Sequence, residues 1–71
     1  MDEEFRRLVH SAVRSLSPRL RDPLMLAASG EYSMDDIAAM LGKPVGTVKW
    51  RIAEARRLTR EKLQRMTEAR E

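Results

Sequence analysis

Between Lys43 and Arg65 this sequence sets eight Lys and Arg side chains against two acids, Glu54 and Glu61. The chemistry such a segment offers is ionic: a row of cations able to neutralise phosphates along a nucleic-acid backbone. The rest of the chain lacks this character. From Met1 to Gly42 five Arg face seven Asp and Glu, and the formal charge of the whole chain is only +3. The signal is the asymmetry. By charge alone, a solvated helix face is an equal reading, so the spacing has to decide.

Covalent and metal chemistry find no support in the residues. There is no Cys, the single His10 cannot build a metal centre, and most acids fall at helix starts, where capping accounts for them. The chain is therefore expected to be no enzyme and to need no cofactor. Cysteine-free composition suits a reducing cytoplasm. No apolar run approaches a membrane span, and the acidic N-terminus is unlike a secretory signal. Seventy-one residues make one small domain, and with three aromatic residues its core must be aliphatic.

Four helices are predicted to position the basic segment, giving an all-α domain. Phe5, Leu8, Val9, Ala12, Val13 and Leu16 form a helical stripe over Asp2 to about Ser15. Ser17 followed by Pro18 is a cap and a first-turn proline, opening a second helix that runs to about Ser29 and stops at Gly30. Pro23 inside it removes one donor and should bend it or delay its regular start. Ser33 caps the third helix, Asp35 and Asp36 lie in its first turn, and Gly42 ends it. Pro44 opens the fourth, which runs to about Met66 and is roughly 35 Å long. The expected core is Phe5, Leu8, Val9, Leu20, Leu24, Ile37, Leu41, Val48 and Ile52, with Met25, Met34 and Met40 left for core filling or a partner surface.

Residues 33–57 thus read as a helix, a glycine-bearing turn and a long basic helix, the layout of a C-terminal helix-turn-helix. At about 100° per residue, Val45, Val48, Ile52, Ala55, Thr59, Leu63 and Met66 share one sector of the last helix. Trp50 falls opposite, with Thr47, Glu54 and Arg57 beside it and Lys49 and Arg51 on its shoulders. An exposed indole beside cations suits contact with DNA or a protein partner; the plainer reading is a cover over arginine stems.

The span from Leu16 to about Leu63 resembles region 4 of bacterial sigma factors of the sigma-70 type, particularly the extracytoplasmic-function group. The matching segments are LSPRLRDPLML, GEYSMDDIAAMLGKP and, most specifically, PVGTVKWRIAEAR. Together they cover about two-thirds of the chain. The resemblance implies recognition of the −35 element of duplex promoter DNA, docking on the β flap of core RNA polymerase for transcription initiation, and restraint by an anti-sigma factor. It places Thr47, Lys49, Trp50, Ala53 and Glu54 against base edges, and Lys43, Arg51, Arg57 and Ser33 on the DNA backbone. Base chemistry agrees for Lys, Thr and Glu, which can contact guanine, thymine or cytosine edges. For Glu54 an intrahelical pair with Arg57 is an equal reading. Trp50 departs from the family, which commonly has Ser or another small polar residue there, so the family's promoter preference does not carry over directly. Arg60, Lys62 and Arg65 lie too far along to share the groove.

Two functions stay open on these residues. One is promoter recognition; the other is a sigma-like interaction module held by an anti-sigma factor or partner-switching regulator. The output domain of response regulators also carries a Thr-Val-Lys helix start, but the Pro-x-Gly before Thr47 and the LSPRLRDPL segment argue against it. Nothing in the sequence would melt DNA or read a −10 element.

Overall fold

The computed structural model describes residues 2–69. In chain order its helices are α1 (Glu3–Arg14), α2 (Pro18–Ala28), α3 (Met34–Leu41) and α4 (Val45–Ala69), with no strand among the described residues. Each boundary has a local cause. Asp2 caps α1, its carboxylate accepting from the Phe5 amide at 2.7 Å. Ser17 precedes α2 with extended backbone, and Pro18 at the first turn forfeits a donor that had no helical acceptor. Pro23 is buried and α2 continues through it. Gly30 and Gly42 both take positive φ, at 75° and 65°, in the turns after α2 and α3.

The four helices enclose one aliphatic core. Leu16, Leu24, Ile37, Ala38, Val48, Ile52 and Ala55 are buried together, ringed by half-buried Val13, Leu20, Leu41, Val45 and Leu58. α4 is the common spine, packing against α1, α2 and α3. Its 25 residues outrun the core, which accounts for an overall extent of 42 × 19 × 14 Å. The Thr59, Leu63 and Met66 end of its apolar stripe is accordingly only half-buried.

Phe5 corrects the expected core: it is 44% exposed, while Ala12 further along the same stripe is fully buried. Leu8 and Val9 are half-buried. Periodicity names the inward face of α1 but not how far its partners reach, and the tight contact lies toward its C-terminal half. Ala12, Ala38 and Ala55, all buried, are small enough to let helices approach closely where they pack. Among the described residues no helix is long and apolar enough to cross a membrane, and no cluster of His, Cys, Asp or Glu is placed to hold a metal ion.

Candidate nucleic-acid interface

The turn that launches α4 is set by Gly42. In its left-handed conformation the chain reverses sharply enough for the Lys43 amide to donate to the Ala38 carbonyl at 3.0 Å. Pro44 follows, its carbonyl taking the first α4 bond from the Val48 amide at 3.1 Å. Three residues therefore separate α3 from α4, and the angle between the two helices rests on them.

From that start, α4 sorts its side chains by face. Val48 and Ala55 are completely buried and Ile52 nearly so, which anchors the helix rotationally. Lys49, Trp50 and Ala53 are exposed; Thr47, Arg51 and Glu54 are half-buried. Trp50 keeps 61% of its surface open. The indole therefore stands outward and is not absorbed by the core. At Gly46, one turn earlier, a Cβ would meet nothing within 4 Å.

Beside the indole lies a shallow recess of about 180 Å³ lined by Ser17, Arg19, Leu20, Trp50 and Arg51. It joins the start of α2 to the outward face of α4. Arg19 thus stands beside Arg51 of α4, a placement the linear sequence does not show because Arg19 lies in the acidic half of the chain. The signal available was Pro18 at a helix start, which puts the next residues at a terminus free to face another element.

Two of the residues expected at the DNA backbone, Ser33 and Arg57, already have partners within the chain. The Ser33 amide donates to Asp36 Oδ2 and the Asp36 amide to Ser33 Oγ, both at 3.0 Å. The Ser33 hydroxyl proton stays available, and the Met34 and Asp35 amides have no helical acceptors. Arg57 lies between two acids: Nη2 donates to Glu54 Oε1 and Nη1 to Glu61 Oε2. The hydrogen bond to Glu54, its charge and that of Glu61 raise the Arg57 pKa further above its ordinary value. Lys43, Lys49 and Arg51 carry no ion pair among the described residues and remain the open cations at this tip.

A helix-turn-helix with an anchored inner face, an exposed outer face and free cations at the leading end is a fold for entering a major groove. Residues 6–58 match the family model described as Sigma-70, region 4. The sequence is also 38% identical over 64 residues to proteins named ECF RNA polymerase sigma-E factor in Escherichia coli (strain K12), Salmonella typhimurium (strain LT2) and Shigella flexneri. Each match covers 90% of this chain and 34% of the relative, so the chain spans about a third of the length of these proteins. No solved structure matches it significantly. The chain belongs to the sigma-70 region 4 family, a family of non-enzymatic transcription initiation factors built on a helix-turn-helix.

Proposed function

We propose that this domain recognises the −35 element of promoter DNA, laying the first turns of α4 in the major groove. The observation that carries the reading is the division of α4: Val48, Ile52 and Ala55 fix the helix while Lys49 and Trp50 stand free at its tip. Thr47, Lys49, Trp50, Ala53 and Glu54 face base edges, where Lys49 donates to guanine and the indole covers a thymine methyl or a sugar. Lys43, Arg51 and Arg19, which lines the recess beside Trp50, meet phosphates on the flanks, and Ser33 meets one through its hydroxyl. Arg57 was expected among these and has its guanidinium committed to Glu54 and Glu61.

Salt titration of duplex binding tests the reading. Three neutralised phosphates give a slope of about −3 in log affinity against log salt. No duplex binding at about 50 mM salt overturns it.

A second reading draws on a different face. An apolar groove of about 340 Å³ between α1, α2 and α4 is lined by Val9, Val13, Leu24 and Met25, with Arg56 and Arg60 on one side. Met25 is 55% exposed there. This face is away from the tip of α4 and suits docking on core RNA polymerase through its β flap, or capture by an anti-sigma factor. The names of the relatives as RNA polymerase sigma factors support the polymerase as partner. Both contacts are compatible with promoter recognition, since they leave Lys49 and Trp50 open. The cytoplasm is the compartment such a role requires.

A further inference from the structure

The Glu54–Arg57–Glu61 row on the outer face of α4 carries two negative charges and one positive, so it is a poor place to hold a phosphate. We propose that Glu54 selects a cytosine in the contacted strand and that Arg57 is its positioning residue. The proposal rests on the base-reading face above.

Glu54 stands one turn beyond Trp50 on the same outward side. Its Oε1 is held by Arg57 Nη2, whose other prong is tied to Glu61 one turn further on. The guanidinium thereby bridges carboxylates one turn before and one turn after it along α4. Glu54 Oε2 makes no hydrogen bond within the described residues. The Glu54 side chain is also the least exposed of the three, 22% against 52% for Arg57 and 45% for Glu61. The free oxygen thus belongs to the most sheltered member of the row.

A carboxylate can only accept hydrogen bonds, and the major groove offers two base donors, cytosine N4 and adenine N6. Adenine sets the N7 lone pair next to its amine, which repels a carboxylate. Cytosine has only a C–H beside N4. The choice therefore falls on cytosine. An ion-paired row on a helix surface is ordinarily only a weak stabiliser, and base selection is the property that such a role would not alter.

The test is selection from a random duplex pool at about 50 mM salt, with the 71-residue chain and its E54Q, R57A and R57K variants, each first checked for unchanged helical circular dichroism. The expected wild-type site holds cytosine at one position. E54Q changes that position to adenine, because a glutamine amide pairs with N6 and N7 together. R57A lowers discrimination at that position about tenfold, with the salt slope unchanged. R57K does not restore it, since one ammonium does not bridge two carboxylates in fixed geometry. The proposal is overturned if E54Q selects the wild-type base. It is equally overturned if R57A weakens all duplexes alike, lowers the slope by about 1 and is rescued by R57K, the pattern of a phosphate clamp. Enrichment of no sequence by the wild-type chain removes the base-reading face itself, and the proposal with it.

Discussion

Ser33 and Asp36 close a reciprocal box at the start of α3, each accepting from the other's amide at 3.0 Å. The box satisfies two backbone donors at once and places negative charge where the α3 dipole favours it. It also fixes the end of the helix that supports α4 from below.

Ser33→Ala removes one half of this box. It is expected to lower stability by about 1 kcal/mol in urea unfolding. Duplex affinity should fall for all sequences alike, since a cap and a backbone contact carry no base information. An unchanged unfolding midpoint would show that the box does not hold α3.

Gly42 and Gly46 respond to alanine in opposite directions. Neither has any atom within 4 Å of an added Cβ, but Gly42 sits at φ 65° and Gly46 lies inside α4. Gly42→Ala should cost about 1 kcal/mol because an alanine strains in the left-handed region. Gly46→Ala should gain up to about 0.5 kcal/mol through helix propensity, less than in a helix interior because Gly46 is the second residue of α4. Thermal melts of both variants separate conformational from steric causes, and a shift of the same sign in the two would contradict this account.

Ile37 is fully buried at the centre of the cluster. Ile37→Ala should destabilise by about 2–5 kcal/mol. In a domain this small that is comparable to the whole stability, so the variant is expected to be largely unfolded at 25 °C by circular dichroism. Retention of a cooperative melt near the parent temperature would mean the core lies elsewhere.

Trp50 reports directly on the interface. Its exposure predicts an emission maximum typical of an indole in water, open to iodide quenching in the free protein. Added duplex should shield it. Trp50→Ser should change stability by less than about 0.5 kcal/mol yet change the sequence selected from a duplex pool. An indole equally quenched with and without DNA removes it from the interface.

Lys49→Ala and Arg51→Ala are expected to differ in kind. Arg51→Ala should weaken every duplex about equally and reduce the salt slope by about 1. Lys49→Ala should instead alter which base is preferred at one position. Uniform loss from both variants would move Lys49 from the base edges to the backbone.

Much of this molecule is legible in the linear chain because its signals are local. Pro18 at the start of α2, whose Ser17 makes no side-chain cap bond, the cap at Ser33, the stop at Gly42 and the 3–4 spacing of Val48, Ile52 and Ala55 each act within one or two helical turns. They determine where helices start and stop and which side of α4 turns inward, hence that Trp50 faces out. The family followed from PVGTVKWRIAEAR, a stretch whose turn and helix start are read in order.

What the sequence could not decide was distance between turns and between helices. Phe5 belongs to the right stripe and still lies open, because burial depends on which neighbours reach that end of α1, and periodicity carries no such information. Arg19 reaches the Trp50 recess only because α2 folds back across α4. Arg57 could equally have pointed to a phosphate or to Glu54, and its commitment to Glu54 and Glu61 is a matter of rotamer and neighbour. Local hydrogen bonding and periodicity write the elements. Close packing, which joins residues far apart in the chain, chooses which charges are left free to act.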